Sequence, residues 1–151
     1  VDEENMAIWG WSYGGFMTNW IVGHTDRFKA AVTQRSITNW NSFAGVSDIG
    51  YFFADWEHKA DFIQNSEDLI PISPITYVEN IKTPLLIIHS ENDYRCPLEQ
   101  AEQLFIALKH LGQTARLSIF PGSNHNLSRN GKPELRVERL EQIVDWFKEY
   151  I

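Results

Sequence analysis

The chain alternates short apolar runs with longer stretches in which apolar residues recur every three or four positions. Met6-Ala7-Ile8-Trp9 is the first run and reads as a buried strand. Gly10-Trp11-Ser12-Tyr13-Gly14-Gly15 follows, then Phe16, Met17, Trp20 and Ile21 recur at helical spacing, with a stop expected near Gly23. Phe28–Thr33 is the second strand candidate, and its small residues suit packing beneath helices. From Ser36 to Asp68 the periodicity loosens and aromatic residues crowd together: Trp40, Phe43, Tyr51, Phe52, Phe53, Trp56 and Phe62. A helix is expected over part of this insert, about Asp48–Phe62. Ser73-Pro74 reads as an N-cap followed by proline at the first helical position, opening a short turn to Asn80. Pro84–Ser90 is a continuous apolar run ahead of a polar loop, the pattern of a parallel strand buried on both faces. The next helix shows Ala101, Leu104, Phe105 and Leu108 on one side and stops at Gly112. Ala115–Phe120 is the fourth strand. The last helix begins at Pro133 or Glu134, with Val137, Leu140, Val144, Phe147 and Ile151 as its predicted buried stripe.

Strand, helix, strand, aromatic insert, strand, helix, strand, helix is the order of an α/β protein with a parallel sheet of about four strands and flanking helices. Right-handed crossovers place helices on both faces. No internal repeat or low-complexity tract interrupts the pattern.

Composition narrows the function classes. Thirteen basic and twenty acidic residues give a net charge of −7 with no basic block. That argues against a general affinity for nucleic acid or an anionic membrane. No apolar run approaches the roughly 18 residues of a membrane-spanning helix, and no signal peptide is visible. The single cysteine, Cys96, excludes an internal disulfide and fits a reducing, cytoplasmic compartment. With no second cysteine or nearby histidine it reads as a structural thiol. No metal or cofactor motif is present.

The chemistry concentrates after the strands, where open α/β sheets place their sites. Gly10-Trp11-Ser12-Tyr13-Gly14 is a Gly-x-Ser-x-Gly turn between a strand and a helix, the context of a nucleophile elbow. A glycine turn with an exposed serine would give the same letters; the flanking strand and helix separate the two. Small residues two before and two after Ser12 are expected to let strand and helix approach closely. Asp93 follows the third strand and His125 the fourth, so the order is Ser…Asp…His. In this arrangement His125 takes the Ser12 proton, and Asp93 fixes the His125 tautomer. Glu91 is the competing acid. His24 and His110 sit at helix ends, His58 in a polar stretch, and His89 within a strand as a packed residue.

Three stretches, GWSYGGFMTNW, TPLLIIHSENDYRCPLEQAEQLF and FPGSNHNLSRNGKP, together resemble the catalytic domain of the prolyl oligopeptidase family of serine peptidases, in its acylaminoacyl-peptidase-like branch. The resemblance covers essentially the whole chain. It implies an α/β-hydrolase fold, with 1–151 as the C-terminal part of the catalytic domain and the earlier strands and a β-propeller absent. It implies Ser12 as nucleophile, Asp93 as triad acid, His125 as base, and the backbone N–H of Tyr13 as an oxyanion donor. The upstream loop expected to give the second donor is not in the chain. The resemblance also implies a substrate pocket in the aromatic insert, with Trp40, Phe43, Phe52, Phe53 and Trp56 as candidates; core packing is the alternative for each.

The activity so implied is hydrolysis of short peptides or acyl-peptides through an acyl-enzyme. An esterase on the same triad and a catalytically silent, self-associating fragment are the alternatives. The strand Met6–Trp9 is expected to have an unpaired edge, and Ile8, Trp9, Phe16 and Trp20 to lose cover. The chain is therefore expected to form a homo-oligomer or to associate with an N-terminal part.

Overall fold

The computed structural model describes residues 2–151. Four strands, β1 (Ala7–Trp11), β2 (Ala30–Gln34), β3 (Leu85–Ser90) and β4 (Ala115–Phe120), form one parallel sheet in sequence order. The helices are α1 (Tyr13–Val22), α2 (Trp40–Val46), α3 (Gly50–His58), α4 (Glu99–His110), α5 (Leu127–Asn130) and α6 (Pro133–Tyr150), with 3-10 turns at Ser66–Leu69 and Pro74–Asn80. Every residue of β2 and β3 is buried, which is why both read as near-continuous apolar runs. β1 and β4 are the edges.

Side chains alternate across the sheet and feed two cores. On one face Ala31, Leu85 and Ile87 pack with Val22 of α1 and with Ala101, Leu104 and Leu108 of α4. On the other, Val32, Leu86, Ile88 and Phe120 pack with Leu127, Ile143 and Trp146. A third core gathers the insert around Trp40, Phe43, Ala54 and Leu69, with Phe16 of α1 and Cys96 joining it.

The helix signals divide. α4 follows its predicted stripe and ends at His110, and the chain turns away at Gly112, whose φ of +72° suits glycine. α6 begins at Pro133, but Ile143 and Trp146 turn to the sheet while Val137, Leu140, Val144 and Ile151 are about half exposed; of the predicted stripe only Phe147 packs against the core. α6 is apolar on two sides, and pattern alone cannot say which side meets the sheet. The insert forms two helices, α2 and α3. Asn39 caps α2, its Oδ1 accepting from the N–H groups of Asn41 and Ser42. Ser73 caps nothing. Its Oγ donates to the Leu69 carbonyl and accepts from Trp40 N, tying the turn to α2.

The exposure expected around β1 is partly found. Trp9 is 48% exposed, and β1 pairs only with β2 among the described residues. Phe16 is buried against Trp40, and Trp20 is half-buried, stacked on His24. Trp11 and Met17 are the further exposed apolar residues here.

Candidate active site

Each strand hands one chemically active residue to the same rim, at its C-terminal end. Ser12 follows β1, Arg35 follows β2, Asp93 lies just beyond β3 and His125 beyond β4. Ser12 sits at φ 57° and ψ −125°, outside the ordinary backbone regions. Such a position costs on the order of 1–3 kcal/mol and persists only where its surroundings impose it. Here they do. Ser12 N–H donates to the Gln34 carbonyl at 2.9 Å, and Phe16 N–H donates to the Ser12 carbonyl at 3.0 Å.

The close approach behind the turn falls on Gly10 and Gly15. A Cβ on Gly10 would lie 2.2 Å from the Gly14 carbonyl oxygen, and one on Gly15 would lie 2.7 Å from Ser36 Cβ. A Cβ on Gly14 would meet nothing within 4 Å, so the small residue needed after the serine is the third, not the second.

Ser12, His125 and Asp93 form a continuous hydrogen-bonded chain. His125 Nε2 lies 3.1 Å from Ser12 Oγ. His125 Nδ1 lies 2.8 Å from Asp93 Oδ2 and 3.0 Å from Oδ1. Asp93 is buried, and its Oδ1 also accepts from the backbone N–H groups of Arg95 and Cys96. Those donors hold the carboxylate in place beneath the imidazole. The Asp93 carboxylate accepts a hydrogen bond from His125 Nδ1–H, which leaves the Nε2 lone pair facing the Ser12 hydroxyl. Glu91, the competing acid, instead accepts from Gly122 N–H at 2.8 Å and so fastens the turn before His125. His89 is packed inside β3. Its Nε2–H donates to the Cys96 carbonyl at 2.7 Å, and burial holds its pKa below the usual histidine range.

Tyr13 is the first residue of α1, so no carbonyl within the helix can take its backbone N–H. Among the described residues that N–H has no hydrogen-bond partner, and it lies beside the serine. Cys96 is buried in the insert core, where desolvation pushes its thiol pKa up and leaves it inert. Among the described residues no three His, Cys, Asp or Glu side chains are grouped to hold a metal ion, and no helix is long and apolar enough to cross a membrane.

A cleft of about 530 Å³ opens over Ser12 and His125, walled by Trp11, Arg35, Tyr94, Arg95 and Arg129 among others. None of the five aromatic candidates lines it. Trp40 and Phe43 are fully buried in the insert core, and Phe53 packs against them. Phe52 and Trp56 are exposed to solvent. Phe16, Phe43 and Phe53 pack around Trp40, so these rings fill the insert core instead of facing the cleft.

The cleft's own walls went unread in the sequence. Arg95 makes a two-pronged pair with Asp48, Nε to Oδ1 at 2.7 Å and Nη2 to Oδ2 at 3.2 Å. The pairing holds the Asp48 carboxyl below its usual pKa range and raises the Arg95 guanidinium. Arg95 shares a loop with Asp93, which was a usable signal; nothing in the sequence linked Asp48 to it. Arg35 had a signal of its own, a charged residue directly after an apolar strand.

A four-stranded parallel sheet with a serine on a strained strand-to-helix turn defines an α/β-hydrolase fold. The profile of the prolyl oligopeptidase family matches residues 1–151, and the chain belongs to that family. It is 58% identical, over its whole length, to 23% of the uncharacterized peptidase YuxL of Bacillus subtilis. It is 31% identical to the acylamino-acid-releasing enzyme of Arabidopsis thaliana, with 99% of this chain matching 20% of that one. Among solved structures, an acylaminoacyl peptidase of Pyrococcus horikoshii superposes with a TM-score of 0.93 at 35% identity, covering all of this chain and 25% of its own. The chain thus spans a quarter or less of the length of each of these relatives.

Proposed function

We propose that the full-length protein is a serine peptidase of the acylaminoacyl-peptidase type, cleaving short peptides or acyl-peptides through an acyl-enzyme on Ser12. The observation that carries this reading is the Ser12–His125–Asp93 chain, in bonds of 3.1 Å and 2.8 Å, at the mouth of a cleft. His125 Nε2 removes the hydroxyl proton as Ser12 Oγ attacks the carbonyl carbon. The carbonyl electrons move to oxygen, and the Tyr13 N–H donates to that oxyanion. The same imidazolium then protonates the leaving amine, and the C–N bond breaks. Water, deprotonated by His125, attacks the ester and returns Ser12. Asp93 stays ionised throughout and stabilises the charged imidazole.

The printed names of the relatives, an acylamino-acid-releasing enzyme and an acylaminoacyl peptidase, support blocked or short peptides as the substrate class. On the same reading, the open β1 edge and the half-exposed Trp9 and Trp11 are covered by the rest of the catalytic domain.

The test is covalent. A fluorophosphonate should label the full-length protein on Ser12, and Ser12→Ala should abolish labelling together with release of a peptide anilide. A folded protein that resists labelling overturns the hydrolase reading. Labelling with turnover of activated esters but of no peptide substrate assigns an esterase instead.

A further inference from the structure

Three of the four strand ends carry the proposed machinery, and the fourth carries Arg35, to which that machinery gives no part. We infer that Arg35 is a positioning residue for His125, the tether that holds the histidine loop against Ser12. The inference rests on the serine-hydrolase reading above.

Arg35 is held in a left-handed conformation, with φ 41°, where a side-chain-bearing residue is uncommon. Its N–H donates to the Ile88 carbonyl at 2.9 Å, and the residue before it accepts from Ser12 N–H. Its backbone is therefore wedged between the serine turn and the end of β3. The residue is only 7% exposed. Among the described residues no carboxylate forms an ion pair with it. A buried guanidinium without a counter-ion in contact is unfavourable, and burial and the nearby Arg129 depress its pKa. Its side-chain hydrogen bond runs from Nη1 to the backbone carbonyl of His125.

That bond falls where the loop needs it. Glu91 fixes Gly122, and Asn92 N–H holds the Ser123 carbonyl at 2.8 Å, so the loop is pinned two and three residues ahead of the histidine. The imidazole is pinned through Asp93. Among the described residues only Arg35 hydrogen-bonds the His125 backbone, from the same strand end that receives the Ser12 N–H. Base and nucleophile are thus registered against one common support. A cation beneath a carbonyl has no role in proton transfer, and among the described residues Arg35 makes no hydrogen bond to Ser12 Oγ or the imidazole nitrogens. It acts through His125.

The test uses the full-length protein with active sites counted by fluorophosphonate titration. Wild type is labelled first; a wild type that does not label removes the hydrolase reading and this inference with it. Arg35→Gly suits the left-handed backbone, and Arg35→Met keeps the packing of the stem. Both should fold and titrate as wild type does, yet lose about 10- to 100-fold in kcat per titrated site, the scale of a small misplacement of a catalytic group. KM should stay within about two-fold. Free guanidinium ion at non-denaturing concentration should restore part of kcat to Arg35→Gly and none to Arg35→Met, whose side chain fills the space. Unchanged kcat per site in both variants overturns the inference. So does a loss confined to the fraction of titratable sites, which marks a structural role, or a loss confined to KM, which marks a substrate contact.

Discussion

The rim that carries Ser12 and the flank formed by β1 and α6 are neighbours built in opposite ways. At the rim, polar groups are buried and almost all are partnered within the 151 residues. Asp93 meets His125, Arg95 N–H and Cys96 N–H; Glu91 meets Gly122; Ser12 N–H meets Gln34. On the flank, apolar groups are exposed. Trp9 and Trp11 share the α6 face of β1, because their partners in β2 are Val32, packed with Trp146, and Gln34, bonded to Arg139. Both tryptophans, with Val137, Leu140 and Val144, are about half open to water. The geometry of the rim is therefore specified by this stretch of chain, whereas the flank presents half-exposed apolar side chains to solvent.

The sharpest way to break the comparison is at the rim. Asp93→Asn keeps a side-chain oxygen to accept from Arg95 and Cys96, so the loop should hold. The new amide faces Nδ1 as a donor and forces the imidazole proton to Nε2, toward Ser12. The expected loss in kcat of the full-length protein is about 10,000-fold with little change in Tm. A loss under ten-fold would show that the tautomer is not set here.

The flank is tested by pairing a core position with an exposed one. Trp146 is buried beneath Arg116, whose guanidinium lies 5.0 Å from the ring centroid. Trp146→Ala should destabilise the full-length protein by about 3–5 kcal/mol. Val144→Ser looks like a surface change in this chain. In the full-length protein it should cost about 1–2 kcal/mol, because the cover proposed for the flank makes the site a core position. An effect within about 0.5 kcal/mol, measured by denaturant melts, would leave the flank facing water. Light scattering of the 151-residue chain alone should show association that weakens when Trp9 and Trp11 are both changed to Ser. A stable monomer with the edge open would remove the need for cover.

What the sequence disclosed follows the same division. β3, β4 and α4 were legible because each shows one apolar pattern with one meaning. Ser12, Asp93 and His125 were legible because strand ends and chain order place them together before any coordinate is known. α6 was misread because two apolar stripes wind around one helix, and the one on the sheet contains the polar Arg139, whose guanidinium reaches Gln34 Oε1 at 2.7 Å. Trp40 and Phe43 are pocket candidates through the family resemblance alone, since a sequence cannot tell an aromatic facing a cleft from one facing a core; both lie in the insert core. The Arg95–Asp48 pair spans 47 positions and left no local trace.

The glycines of the elbow sharpen the rim at smaller scale. Gly15→Ala pushes a methyl against Ser36 and to 2.8 Å from the Gln34 carbonyl, the acceptor of Ser12 N–H. It should cost about 1–3 kcal/mol and reduce fluorophosphonate labelling with it. Gly14→Ala meets open space in α1 and should raise stability by about 0.5–1 kcal/mol. Equal melting temperatures for the two variants would contradict the packing assigned to the turn.

An effect seen only as pH falls lies directly under the rim, at His89. The residue is 1% exposed, its Nε2–H is committed to the Cys96 carbonyl, and among the described residues its Nδ1 has no partner. Asp93 Oδ2 lies 3.8 Å away, too far to offset the burial. Burial therefore keeps the ring neutral, with its pKa below the usual value. In the unfolded chain the same ring takes up a proton near pH ~6.5. The unfolded state then binds more protons than the folded one, so stability falls as pH drops below about 6.5 and is unaffected above it. One proton limits the slope to about 1.4 kcal/mol per pH unit. His89→Gln retains an N–H for the Cys96 carbonyl and removes the titration. Its stability should fall less steeply than that of wild type between about pH 6.5 and 5, as measured by urea melts. A residual slope is expected from His58, which burial also holds below its usual pKa. Identical slopes in the two proteins would mean that the folded rim admits the proton on His89 as readily as water does, and that the burial seen beneath Asp93 is not maintained in solution.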